Sequence, residues 1–76
     1  MSETTAQAIE RHDTKALRAI AYTAHCTVEH AISAGGGRSA VRRLEAGGLI
    51  ERDAEWTGCL VLTAAGASRL EYADGE

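Results

Sequence analysis

The chain has 76 residues, of which 45% are hydrophobic and 25% are charged, and its formal net charge is −3. This length fits one domain, and the composition is ordinary for a folded protein, which argues against wholesale disorder. No apolar run approaches the roughly 18 residues of a membrane span, and residues 1–5 lack the pattern of a secretory signal, so we expect a cytoplasmic protein. With one Trp, two Tyr and no Phe, the core is thin, which favours a homodimer.

A long helical region is the first predicted element. Residues 6–12 are compatible with a helix. Asp13 or Thr14 is expected to cap a stronger helix over 14–25, because short oxygen side chains accept the free N–H groups of a first turn. The sequence leaves open whether 6–25 is one helix or two. Four residues recur at helical spacing and are predicted to face the core: Leu17, Ile20, Ala21 and Ala24.

Two shorter helices follow, separated by a glycine triplet at 35–37. Thr27 is predicted to cap the first, over 28–34, which has a buried stripe of Val28, Ala31 and Ile32. The second runs over 38–46, ends at Gly47 or Gly48, and has three inward positions, Ala40, Val41 and Leu44. Its outward positions are Ser39, Arg42, Arg43 and Ala46, with Arg38 at the edge.

A β-hairpin and a last helix are predicted next. The strands are 49–53 and 59–62, joined by a turn at 54–58. In the second strand Leu60 and Leu62 share one face, and Cys59 and Val61 share the other. Thr63 is expected to cap a helix over 64–73 that buries Ala67 and Leu70.

The most specific pattern in the chain is the run RRLEAGGLIERD at 42–53, followed by LTAAG at 62–66. It resembles the second half of winged helix-turn-helix domains, in particular the small transcriptional regulators of the PadR and MarR types. The resemblance implies an α+β fold over 14–73, with three helices, a two-stranded hairpin called the wing, and a C-terminal helix. Residues 1–13 would be a tail or helical extension, and 74–76 a tail. The glycine triplet departs from the longer turn that such families commonly have.

The resemblance also implies a DNA-binding transcriptional regulator, most simply a repressor, that contacts duplex DNA with the helix at 38–46. The charge distribution agrees with this, because 38–43 carries three arginines and no acid, whereas 44–76 is strongly acidic. Arginine binds phosphates and can bind guanine edges with two hydrogen bonds. The candidate DNA contacts are Arg38, Ser39, Arg42, Arg43 and Arg52.

The predicted wing favours a different class of function. A wing that contacts DNA usually carries basic residues, but this turn carries Glu55 and Trp56 after Asp53, and its carboxylates would repel phosphate. The alternative is a protein-interaction module or inhibitor that binds another protein through Glu55 and Trp56, since Trp is enriched at binding hot spots. A structural interpretation also stays open, in which Trp56 folds back over the hairpin and thickens the core.

Other chemistry is weakly supported. His25, Cys26, His30 and Cys59 have zinc-binding atom types but no standard spacing. The glycine triplet lacks the Lys and the preceding strand of a phosphate-binding loop. We therefore expect no metal, no cofactor, no disulfide framework and no enzymatic activity.

Overall fold

The computed structural model describes residues 3–74, which form an α+β fold of four helices and a two-stranded antiparallel hairpin. The helices are α1 (Thr5–Tyr22), α2 (Val28–Ala34), α3 (Gly37–Ala46) and α4 (Ala64–Asp74), and the strands are β1 (Ile50–Arg52) and β2 (Leu60–Leu62). The predicted class and element order are confirmed at this level. Of the predicted tails, residues 1–2 and 75–76 lie outside the described part, and residue 74 belongs to α4.

The N-terminal region is one helix, which the sequence had left undecided. A capping box starts it at Thr4, whose side chain accepts from the Gln7 N–H at 3.1 Å, while the Gln7 side chain accepts from the Thr4 N–H at 2.9 Å. The predicted caps Asp13 and Thr14 are therefore wrong, because both lie inside α1. The helix also ends before residue 25, where His25 adopts a left-handed φ of 52°.

The buried face of α1 differs from the prediction. Its buried residues are Ala16, Leu17 and Ile20. Ala21 and Ala24 are exposed, so their predicted core positions are wrong. The close approach of the α2–α3 turn explains why Ala16 is buried, because a Cβ on Gly35 would lie 3.0 Å from the Ala16 Cβ and 2.5 Å from the His12 carbonyl oxygen. A small residue on α1 and a glycine in the turn allow this contact.

α2 and α3 follow the predicted pattern in part: in α2 only Ala31 is buried, whereas Val28 and Ile32 are partly buried against the core. The Thr27 hydroxyl accepts from the His30 N–H at 3.1 Å and caps α2, as predicted. α3 begins at Gly37, with a φ of 76°, and Gly48 follows it with a φ of 73°; both values are in the left-handed region that favours glycine. The three predicted inward residues of α3 are confirmed as buried: Ala40, Val41 and Leu44.

The hairpin joins the helical part through its second strand. β1 and β2 pair in the register Ile50↔Leu62, Glu51↔Val61 and Arg52↔Leu60. Both strands are shorter than predicted, and Cys59 forms an isolated bridge with Thr27 instead. The Leu60 N–H donates to the Cys26 carbonyl oxygen at 2.8 Å, which ties β2 to the turn between α1 and α2.

α4 starts as predicted but buries a different face. The Thr63 hydroxyl accepts from the Gly66 N–H at 3.1 Å and donates to the Gly48 carbonyl oxygen at 2.6 Å. Leu70 is buried, but Ala67 is exposed, so that part of the prediction is wrong. The buried face runs through Gly66, where a Cβ would overlap the Leu49 carbonyl group. No helix within residues 3–74 combines the length and apolar character needed to cross a bilayer.

Candidate nucleic-acid interface

One exposed face of α3 carries polar and cationic side chains. The opposite side of the helix is buried in the core, so this face points to solvent. It carries Arg38, Ser39 and Arg42, all three exposed, and we call it the α3 face. Within residues 3–74, neither Arg38 nor Arg42 forms an ion pair, so both guanidinium groups can accept an external anion.

Arg43 lies beside the α3 face and is already bound. Its Nη2 lies 2.7 Å from Asp13 Oδ1 and its Nε lies 3.3 Å from Asp13 Oδ2, which is a two-point contact between α3 and α1. The hydrogen bond that Arg43 donates to Asp13 is the main cause that raises the pKa of Arg43, and the negative charge of Asp13 acts in the same direction. Asp13 is the more enclosed partner, with 18% of its side chain exposed against 39% for Arg43.

Arg52 approaches the α3 face from β1. Its Nε lies 3.5 Å from Glu45 Oε2, and the two side chains are 59% and 44% exposed. Ion pairs this exposed contribute little, since water screens both charges. A phosphate can therefore displace Glu45 from Arg52 at small cost.

A groove of about 220 Å³ runs between α2, α3 and β1. Three aliphatic side chains line it: Val28, Ile32 and Val41. Arg38, Arg42 and Arg52 also line it, together with one carboxylate, Glu45. The structure thus brings three of the five predicted contact residues to one groove, with Ser39 exposed on the same helix and Arg43 held apart by Asp13.

The hairpin turn, residues 53–58, has the opposite character. Asp53 Oδ1 accepts from the backbone N–H groups of Glu55 at 2.8 Å and Trp56 at 3.2 Å. These hydrogen bonds stabilise the turn. They also occupy the carboxylate of Asp53, one of the acidic groups of the turn. The Glu55 side chain remains exposed.

Trp56 does not thicken the core, so the interpretation in which it folds back over the hairpin is wrong. Its ring stacks on His25, with centroids 4.1 Å apart and planes tilted by 45°. It stays 52% exposed and lies outside the core cluster. The sequence could not reveal this partner, because His25 lies about thirty positions earlier in the chain and belongs to another turn.

The two thiols lie inside the protein. Cys26 and Cys59 are buried and unbonded to each other. Burial is the main cause that raises the pKa of Cys26, and the nearby Cys59 adds to it. Within the described residues, no group of three or more His, Cys, Asp or Glu side chains is arranged to hold a metal ion.

Asp13 is the residue of this region that the sequence analysis missed as a contact. Its sequence position suggests a capping role, but its actual partner is thirty positions away in the chain. Only the packing of α1 against α3 brings the two together. Comparison of the chain with protein-family models, with curated proteins and with solved structures finds no match.

Proposed function

We propose that the protein binds duplex DNA with the α3 face and acts as a small transcriptional regulator, most simply a repressor. The observation that carries the proposal is the pair of exposed guanidinium groups of Arg38 and Arg42, which form no ion pair within residues 3–74 and lie on a helix whose other side is fixed in the core. Guanidinium groups bind phosphates, and they form paired hydrogen bonds with guanine edges in the major groove.

The element order supports the same proposal. Three helices, a two-stranded hairpin and a further helix are compatible with the layout of a winged helix-turn-helix domain, in which the helix before the hairpin enters the major groove. In this proposal α3 is that helix, and Arg52 on β1 adds a backbone contact from the base of the wing. The fold by itself does not carry the function, since folds are shared among many activities.

Arg42→Ala tests the proposal. A lost phosphate contact should weaken binding to all duplexes alike and reduce the slope of log affinity against log salt by about one. A lost guanine contact should instead cost about 1–3 kcal/mol on cognate sequence alone. Fluorescence anisotropy at two salt concentrations separates these outcomes, with a mixed-sequence duplex to measure the phosphate contribution and a tight-binding duplex selected from a random pool to measure the guanine contribution.

Arg11→Ala is the matched control for that titration. Arg11 is also exposed and cationic, but it lies on α1 and pairs with Glu3 at 2.9 Å. The proposal expects Arg11→Ala to bind as the wild type does. Absence of wild-type binding at low salt, or equal losses in the two variants, would remove the α3 face from a DNA interface.

A second candidate function rests on the hairpin turn. Trp56 is half exposed yet held by the His25 stack and the Asp53 cap, so little side-chain freedom is lost when a partner covers it. We propose as the alternative that Glu55 and Trp56 bind another protein. Trp56→Ala should then abolish capture of that protein while Arg42→Ala leaves it unchanged, and the wild type should bind no duplex.

We also propose a homodimer through the terminal helices. Ile9 on α1 is 38% exposed and Tyr72 on α4 is 72% exposed, and burying both would extend a small core. Sedimentation equilibrium at micromolar concentration should give twice the 8.0 kDa chain mass. Ile9→Glu should return the monomer, and a wild-type monomer at high micromolar concentration would exclude the proposal.

A further inference from the structure

The contact between Asp13 and Arg43 joins α1 to the flank of the proposed DNA-binding helix. The contact is bidentate, since two nitrogens of Arg43 donate to two oxygens of Asp13 at 2.7 and 3.3 Å. Paired arginine–carboxylate contacts of this kind are stronger than single ones and fix the orientation of the guanidinium plane. Asp13 is therefore a strong competitor for any other anion that approaches Arg43.

The position of Arg43 on the helix brings it within reach of the α3 face. It follows Arg42 by one residue, a rotation of about 100° around the helix axis. This places it on the side toward α1, whereas Arg38 and Arg42 line the groove on the side toward β1. Its side chain is long and 39% exposed, so a change of rotamer away from Asp13 brings its guanidinium group toward the outward face.

We infer that Asp13 withholds Arg43 from DNA phosphate and so limits the affinity of the α3 face. This inference rests on the proposed DNA-binding function, and it separates Arg43 from Arg38 and Arg42, with which the sequence groups it. In the bound state of the wild type, Arg38 and Arg42 contact the duplex while Arg43 stays on α1. Removing the charge of Asp13 releases one further cation to the phosphate backbone.

Asp13→Asn, which preserves the shape of the side chain, tests the inference. We expect its affinity for mixed-sequence duplex at low salt to rise about fivefold, and its salt slope to steepen by about 0.9 for the added phosphate contact. The gain should vanish in the Asp13→Asn/Arg43→Gln double variant, which should bind as Arg43→Gln alone does. The same gain in both backgrounds, or weaker binding by Asp13→Asn, would overturn the inference.

Glu10→Gln is the control for the change in net charge. Glu10 lies one turn earlier on α1, is 65% exposed, and meets Arg69 only at 4.0 Å. The Glu10→Gln substitution removes one negative charge, as Asp13→Asn does, but leaves the contact between Asp13 and Arg43 intact. Its duplex affinity should therefore stay close to that of the wild type. An equal gain in Glu10→Gln would show that bulk charge, and not release of Arg43, causes the effect.

Arginine Nε–H resonances provide a measurement on the wild type that needs no variant to fold. On addition of duplex, the Arg42 signal should shift and the Arg43 signal should stay in place. Movement of both signals together would overturn the inference while leaving the proposed function standing. If neither signal moves, and neither the wild type nor Asp13→Asn binds duplex, the proposed function fails and the inference fails with it.

Discussion

The α3 face and the hairpin turn are both exposed, but they differ in charge and in backbone. The α3 face is cationic and lies on a helix, whereas the hairpin turn is acidic and lies on a short loop. Arg38 and Arg42 project from a helix that buries its other side, and within residues 3–74 neither forms an ion pair. The six residues of the hairpin turn carry carboxylates and one half-exposed indole. Asp53 stabilises this turn by accepting hydrogen bonds from two of its backbone N–H groups. The net charge of the chain, −3, therefore does not predict the local charge of either surface.

One small chain thus carries two candidate binding surfaces of opposite charge. α3 and the hairpin share core residues, so a change in the core affects both surfaces. A change in charge or size at an exposed position should act mainly on the surface that carries it, because an exposed side chain contributes little to the shared core. Substitutions in the core and at each surface can therefore separate stability from binding.

The largest effect is predicted for Leu44→Ala, which removes the support shared by both regions. Leu44 is 2% exposed and lies in the core cluster between the helices and the hairpin. Truncating a buried leucine loses transfer free energy and leaves a cavity, so the free energy of unfolding should fall by about 2–5 kcal/mol. Chemical denaturation followed by circular dichroism measures the loss.

Arg42→Ala is the control for that measurement, since it lies two positions earlier on the exposed side of the same helix. Its free energy of unfolding should stay within about 0.5 kcal/mol of the wild-type value. Similar stabilities for Leu44→Ala and the wild type would show that the faces of α3 are assigned wrongly.

A charge reversal at the hairpin turn tests whether the two surfaces meet the same partner. If the hairpin lies along the DNA backbone, Glu55→Lys should raise duplex affinity severalfold and steepen the salt dependence by about 0.9. Glu71→Lys, an equal charge change on the exposed side of α4, should have little effect. Equal affinities of Glu55→Lys and the wild type would place the turn away from DNA and favour its role in protein binding.

The smallest effect is predicted for the contribution of Cys26 to the pH dependence of the free energy of unfolding. Cys26 is buried in the turn between α1 and α2, next to β2. Burial raises the pKa of the folded thiol above its value in the unfolded chain. The stabilisation from the buried neutral thiol is therefore complete below the unfolded pKa of about 8.5 and is lost as the pH rises toward the folded pKa. Wild-type stability should therefore begin to fall as the pH rises past about 8.5, and Cys26→Ala should show a shallower decline. Parallel declines in the two proteins would contradict this.

Local signals in the sequence were sufficient for much of the fold. Thr27 and Thr63 were recognised as caps because capping depends on atoms within three residues. The inward residues of α3 followed from helical periodicity alone. The same periodicity failed in α1, where Ala16 is buried and Ala21 is exposed, because alanine occurs on every side of that helix and gives no contrast between faces.

The same distinction between local patterns and long-range packing applies to the candidate site. Helical spacing in the sequence is enough to predict that Arg38, Ser39 and Arg42 share the solvent side of one helix, since that depends only on the rise and turn of an α-helix. The pairing of Arg43 with Asp13 and the contact of Trp56 with His25 are visible only in the folded chain. Both contacts join residues about thirty positions apart, and their partners are set by how the elements pack, which no local pattern encodes.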